Sequence, residues 1–256
     1  MKRPRITTSL LVMAFSLFAA TQLSAAVEPR TILISTAASM TELIQALGED
    51  FGKKQPGITT TFNFGASGDL LAQISQGAPV DIFISANVRH MDQAQANGLV
   101  ETESRRIFAG NTLVLAQPAV SKLTLTGLAD LTKAGVERIG IGKPESVPAG
   151  QYAREALVAA GVWTAVEGKL IFGSSVRQVL DYLRRGEVDC GLVYATDAVK
   201  ARDQVRIVTE VQGSKVFYSA GVVKAGHDQE GAGMFLEYLA TDSARAIIQQ
   251  HGFTLP

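Results

Sequence analysis

The chain has 256 residues, and its 24 Lys and Arg against 24 Asp and Glu give no net charge, which argues against nucleic-acid binding through bulk electrostatics. With 46% hydrophobic and 19% charged residues there is enough apolar material for a core, and the single cysteine, Cys190, excludes an internal disulfide, so stability must come from burial. No segment after the N-terminal region is apolar for the roughly twenty residues that a membrane helix needs.

The chain opens on Met1-Lys2-Arg3-Pro4-Arg5, followed by an apolar run from Leu10 to Ala20 and small residues around Ala25 and Ala26. This pattern predicts a secretory signal peptide over residues 1–26, too short in its apolar part for a membrane anchor. A lipid anchor is not expected, because Cys190 is far from the cleavage region. Cleavage after Ala26 would remove three basic and no acidic residues, leaving 230 residues at a formal charge of −3.

Beyond the leader, strands and helices alternate. Strands are predicted at 31–35, 59–64, 81–85, 112–116, 138–141, 169–172, 190–194, 206–208 and 216–223, and helices at 40–54, 68–76, 89–97, 128–134, 149–160, 176–185, 195–202 and 233–250. Several strands, "VDIFISA" and "GLVY" among them, are continuous apolar runs, as expected of strands covered on both faces. The alternation predicts an α/β fold of βαβ units with mainly parallel sheets. Two extended runs, Gly110 to Pro118 and Lys215 to Val223, break the rhythm. They predict two doubly wound lobes joined by two crossing strands: residues 27–110 and 218–256 in the first lobe, and residues 111–217 inserted as the second. Cys190, in "VDCGLVY", is expected to be inert packing.

Four strand-to-helix junctions lack bulky side chains: "STAASM" around Ser39, "FNFGASGDLL" around Ser67, "KPESVPAGQY" around Ala149 and "FGSSVRQVL" around Val176. The first N–H groups of a helix have no partner within it and carry the positive end of its dipole, so a helix start free of bulk can seat an anion. Capping is the competing use: Ser39 with Glu42 spells a capping box, and Ser174 or Ser175 could cap the helix after Phe172. Open parallel sheets place ligands outside the carboxyl ends of their strands, so four such junctions from two lobes are expected to converge on one cleft.

Other motifs fail. "GIGKPES" has Pro144 where a phosphate-binding loop needs Ser or Thr, and Glu145 where a dinucleotide fingerprint needs glycine. "GASGD" has Asp69 where a nucleophile elbow needs glycine. His90, His227 and His251 lack metal-ligand spacing and are expected at the surface. A secreted hydrolase using Ser67 is the competing class, but no histidine lies near the small-residue turns in sequence to act as its base. The remaining chemistry is neutral donors: the Ser39, Ser67 and Tyr194 hydroxyls and backbone N–H groups near Ala149 and Val176. Such a set suits a fully deprotonated oxyanion, since hydrogen phosphate needs an acceptor for its own proton; sulfate, doubly charged and tetrahedral, stays open as an alternative that only cavity size would separate.

Taken together, "AASM" after the first strand, "FGASGDLLAQISQGAPVDIFISAN", "PESVPAGQYAREAL", "SSVRQVLDYLRRGEVDCGLVYATDA" and the closing "HGFTLP" resemble the periplasmic molybdate-binding proteins of ABC-type molybdate transporters over nearly the whole mature chain. The resemblance implies a class II periplasmic binding protein, a monomer without enzymatic activity or cofactor, that closes on molybdate or tungstate and delivers it to a membrane permease. It implies that the oxyanion is held by Ser39 and Ser67, by the backbone N–H groups of Ala149 and Val176, and by the Tyr194 hydroxyl, with Ala38 and Ala66 as possible further N–H donors. Helix dipoles and neutral donors then suffice, so Arg177, next to Val176, is not expected to touch the anion. Trp163 and Tyr152 are expected to pack.

Overall fold

A computed structural model of the protein describes residues 30–256. The leader expected over residues 1–26 lies outside the described residues. Eight strands are present among them: β1 (Arg30–Ala37), β2 (Ile58–Gly65), β3 (Ile82–Ser85), β4 (Arg106–Pro118), β5 (Ile139–Gly142), β6 (Leu170–Gly173), β7 (Cys190–Tyr194) and β8 (Val205–Val222). Nine α-helices accompany them: α1 (Thr41–Lys54), α2 (Ser67–Ser75), α3 (Val88–Ala96), α4 (Pro148–Ala159), α5 (Trp163–Val166), α6 (Val176–Arg185), α7 (Ala195–Lys200), α8 (Gln229–Tyr238) and α9 (Asp242–Gln250).

The ladder runs in the order β2-β1-β3-β8-β4-β7-β5-β6. One end is a parallel group, β2, β1 and β3, and the other a parallel group, β7, β5 and β6. Between them β4 and β8 run antiparallel to each other; β8 also pairs with β3, and β4 with β7. These two long strands contain the runs that break the βα rhythm in sequence. The two strands predicted at 206–208 and 216–223 are one strand, because the β4 partners of β8 change from Val114 at Glu210 to Thr112 at Lys215 while residues 211–214 loop out of the ladder. That loop is tied down by Ser214 Oγ, which donates to the Val211 carbonyl and accepts from the Leu113 N–H. Where β4 and β8 shift register, the chain passes from one parallel group to the other.

Three further elements differ from expectation. The helix predicted at 233–250 is two helices, because the Thr241 hydroxyl accepts from the Ala244 N–H at 3.3 Å and starts α9 afresh. The helix predicted at 128–134 is a 3-10 turn, Leu128–Thr132, in which the Asp130 carboxylate accepts from the Thr126 N–H at 2.6 Å and competes with regular helical bonding. The short α5 was not predicted.

Burial follows the sequence periodicities. In α1, Leu43, Ile44, Leu47 and Phe51 form the buried stripe, and the Phe51 ring meets Phe235 of α8 edge-on at 5.1 Å. All four residues of β3 and all five of β7 are buried, as continuous apolar strands require. Each large aliphatic side chain so buried contributes about 1.5–3 kcal/mol. Cys190 is fully buried, which pushes its thiol up to about 12 and leaves it an inert thiol.

Candidate functional site

The four small-residue junctions meet. Ser39, Ser67, Ala149, Val176 and Tyr194 all line one cavity between the two parallel groups, together with Ala38 and Ala66, and every other lining residue is Gly, Ala, Val, Pro or Ser. The cavity is small: a water molecule's centre has about 10 Å³ in which to move. That is space of about one water molecule's size, far too little for a sugar or a peptide.

Each wall has a local cause. After β1 the chain makes a 3-10 turn, Ala38–Met40, before α1, and Ser39 is buried within it. Ser39 is therefore not the N-cap of α1, and the capping box with Glu42 does not form; α1 has no side-chain cap. Its Oγ lies 3.1 Å from the Tyr218 hydroxyl instead. After β2, Ser67 is the first residue of α2, and its Oγ accepts from the Ala86 N–H at 3.1 Å. One lone pair of Ser67 is thus committed to the protein, and its proton is left for the cavity.

On the opposite side, α4 begins with Pro148, whose missing N–H is no loss at a helix start, and Ala149 follows. The next residue must be glycine: a Cβ on Gly150 would lie 2.0 Å from the Gly142 carbonyl oxygen. This close approach brings the start of α4 against the end of β5. Helix α6 starts at Val176, capped by Ser175, whose Oγ accepts from the Gln178 N–H at 3.2 Å, so of the two serines considered for capping it is Ser175 that caps. Ala149 and Val176 sit in the first turns of their helices, where N–H groups have no partner within the helix.

Tyr194 ends β7 and is 1% exposed, yet its hydroxyl has no hydrogen-bond partner among the described residues. Leaving a buried hydroxyl unpaired costs about 1–3 kcal/mol. Burial, with Tyr218, Tyr152 and Asp197 nearby, holds its ionisation well above the ordinary value, so it remains a donor.

Charged groups stand outside the cavity and tie its two sides together. Arg177 points away from the lining, and its Nη1 donates to Glu42 Oε1 of α1 at 2.8 Å while its Nη2 pairs with Glu42 Oε2. Its Nε lies 3.0 Å from Asp197 Oδ1, an ion pair whose N–H is not aligned on the carboxylate. Lys200 adds a contact to Glu42 Oε2 at 3.1 Å. Elsewhere on the rim the Gly68 N–H donates to the Ser146 carbonyl at 2.9 Å, Asn87 Nδ2 donates to Gln151 Oε1 at 2.7 Å, and Arg89 pairs with Glu155 at 2.6 Å. A Cβ on Gly68 would stand 2.8 Å from both the Cα and the carbonyl oxygen of Ser146. Glycine at position 68 thus lets the sides meet this closely.

His90 departs from the expected surface position: it is 6% exposed and packs beside the start of α2, with its Nε2 3.4 Å from Gln151 Nε2. Burial lowers its pKa, and its Nδ1 has no partner among the described residues. No hydrogen bond joins it to Ser67, so no serine–histidine pair is formed. No group of three or more His, Cys, Asp or Glu suited to holding a metal occurs among the described residues. Tyr152 and Trp163 pack against the core as expected, with the Arg154 guanidinium 5.4 Å from the Trp163 ring centre. Tyr218 and Asn111, which support Ser39 from behind, carry no local signal in the sequence.

The family model of bacterial extracellular solute-binding proteins matches residues 32–254. A putative ABC transporter substrate-binding lipoprotein of Bacillus subtilis is 37% identical over 88% of this chain and 86% of its own length. The molybdate-binding protein of Haemophilus influenzae is 34% identical over 99% of this chain and 98% of its own. Among solved structures, the substrate-binding domain of a putative molybdenum ABC transporter from Clostridium difficile is 34% identical, with a TM-score of 0.67, over 88% of this chain and 98% of that one.

Proposed function

Because this chain belongs to the family of bacterial extracellular solute-binding proteins, we propose that its donor-lined cavity binds molybdate, and tungstate as well, for delivery to an ABC transporter permease. Ser39, Ser67 and Tyr194 each give an O–H bond and Ala149 and Val176 each an N–H bond. The observation that carries this reading is the Tyr194 hydroxyl, buried on the wall of a cavity with no charged residue in its lining and without a hydrogen-bond partner among the described residues. Hydrogen bonds to a charged partner contribute about 1.5–3 kcal/mol each, and burying a dianion costs many kcal/mol, so donors from several elements are required together. The names of the relatives point the same way: full-length similarity at 34% identity to a molybdate-binding protein.

The two parallel groups act as lobes, with boundaries at 110/111 and 217/218 on the crossing strands. Ligand binding favours the closed arrangement through its differential affinity for it. The protein works as a monomer in the periplasm after removal of residues 1–26, and it turns nothing over. Among the described residues no imidazole is hydrogen-bonded to Ser67, and His90, the one packed beside the start of α2, faces Gln151 instead, which disfavours the hydrolase.

Thermal melts with added anions test this. A ligand that binds only the native state raises stability by RT ln(1 + [L]/Kd), about 2.7 kcal/mol at one hundred times Kd. Molybdate and tungstate are expected to raise the midpoint strongly, and phosphate to leave it unchanged. A larger shift with sulfate or phosphate than with molybdate would overturn the assignment, and turnover of model esters would overturn the claim that no reaction occurs.

A further inference from the structure

Behind Ser39 lies a buried chain of polar groups. Asn111, on β4 at the crossing, uses its Oδ1 to accept from the Thr112 N–H at 2.9 Å. A backbone N–H can only donate, so this bond fixes which way the amide faces. Asn111 Nδ2 must then donate, and it does so to Thr196 Oγ1 of α7 at 2.9 Å and to the Tyr218 hydroxyl of β8 at 3.4 Å. Tyr218, fully buried, accepts that bond, and its hydroxyl lies 3.1 Å from Ser39 Oγ, a contact in which either oxygen could donate; donation to Ser39 is the arrangement that gives the Tyr218 proton an acceptor among the described residues. The Tyr218 ring is held in place edge-on against Tyr194 and Phe253, at 6.2 and 5.4 Å between centres.

We propose that Asn111 and Tyr218 are positioning residues that set the specificity of the cavity: the directed chain Asn111 to Tyr218 to Ser39 fills the acceptor side of Ser39 and leaves its proton facing the ligand. The proposal rests on the oxyanion reading above and deepens it. A free serine hydroxyl rotates and accepts a proton as readily as it gives one. With Tyr218 donating to it, Ser39 offers the ligand a donor. The Ala86 N–H does the same for Ser67. A cavity whose hydroxyls are all turned to donors rejects an anion that still carries a proton, such as hydrogen phosphate, for want of an acceptor. It does so without any carboxylate or other charge in the lining.

The test is a double-mutant cycle by calorimetry, with molybdate and phosphate as ligands, on the wild type, Tyr218→Phe, Ser39→Ala and the combination. The phenylalanine keeps the ring packing and removes the one donor. Tyr218→Phe is expected to weaken molybdate about tenfold, roughly the worth of one charge-assisted hydrogen bond, and to narrow the ratio of molybdate to phosphate affinity. In the Ser39→Ala background the same substitution is expected to do nothing, because it acts through Ser39. A purely structural role for Tyr218 predicts an equal loss in both backgrounds and an unchanged ratio; either result overturns the proposal. If Tyr218→Phe does not fold, Asn111→Asp replaces the head donor by an acceptor at constant shape. Its molybdate loss must then shrink in the Ser39→Ala background, and failure to shrink refutes the chain. Absence of molybdate binding by the wild type would instead sink the oxyanion reading itself.

Discussion

The inside of the cavity and its rim, a few ångströms apart, are built from opposite chemistry. Inside there is no charged side chain, only hydroxyls and helix starts framed by small residues. On the rim, Glu42, Arg177, Asp197 and Lys200 crowd together, and Arg89 meets Glu155. A lysine or arginine inside would attract any anion at long range and discriminate little between shapes, whereas neutral donors act only at hydrogen-bond distance and in fixed directions. Charge at the rim is free to hold the two sides together without entering the ligand's coordination. On the function proposed above, the division separates recognition from closure, and each should be breakable without the other.

Removing donors from the inside has the largest expected effect. Ser39→Ala and Ser67→Ala should each lower molybdate affinity about 10- to 100-fold, since a bond to a charged partner contributes about 1.5–3 kcal/mol and each 1.4 kcal/mol is a factor of ten. Calorimetry checks this, and a loss of less than threefold in both would mean that the hydroxyls do not touch the anion. Tyr194→Phe sharpens the point. Its hydroxyl has no hydrogen-bond partner among the described residues, so the ligand-free midpoint should stay level or rise while molybdate affinity falls about tenfold. A fall in both would show that the hydroxyl is satisfied within the protein.

The rim should respond in the reverse sense. Arg177→Ala is expected to weaken molybdate less than tenfold, less than either serine variant, because Arg177 faces Glu42 and Asp197 and not the cavity. It should lower the melting midpoint markedly, since it strips Asp197, fully buried, of its nearest cation. Titrations and melts on one preparation decide it: an affinity loss exceeding that of Ser39→Ala would place the arginine in the recognition chemistry.

How much of this was legible in the sequence follows the range of the forces involved. Strands and helices that bury an apolar face show in periodicity, and the four junctions showed because a helix start without bulk is a local pattern. The five cavity residues came from those patterns and from family resemblance together. Long-range polar pairing left no such trace. Nothing near Tyr218 marks its hydroxyl as the support of Ser39, 179 positions away in sequence, and nothing near Glu42 announces Arg177, 135 positions away. Glu42 instead mimicked a capping partner for Ser39, a local signal overridden by a tertiary one. The last predicted helix is split for another reason: its pattern reads as continuous across Thr241, whose hydroxyl accepts from the Ala244 N–H and starts a new helix.

The smallest effect expected is a dependence on pH that the rim carboxylates produce. Burial pushes the Asp197 carboxyl up to about 6 from an ordinary 3.8, although Arg177 and Lys200 pull it down. Between those two values the native state holds the proton that the unfolded chain has lost, so stability falls as pH rises through the window and levels off above about 6. Glu42 works the other way. Burial alone would raise it, but its bonds and charge contact with Arg177, helped by Lys200, bring it to about 2 from 4.5, so its contribution is complete above 4.5 and is lost on acidification toward 2. Asp197→Asn removes only the first of these slopes. The unfolding free energy of the variant minus that of the wild type should therefore climb between about pH 4 and 6 and stay level from there to pH 8, whatever its absolute offset. Urea melts at five pH values measure that difference, and a flat line through the acid window would mean that Asp197 stays charged in the folded protein, gripped by Arg177 more firmly than their misaligned contact implies.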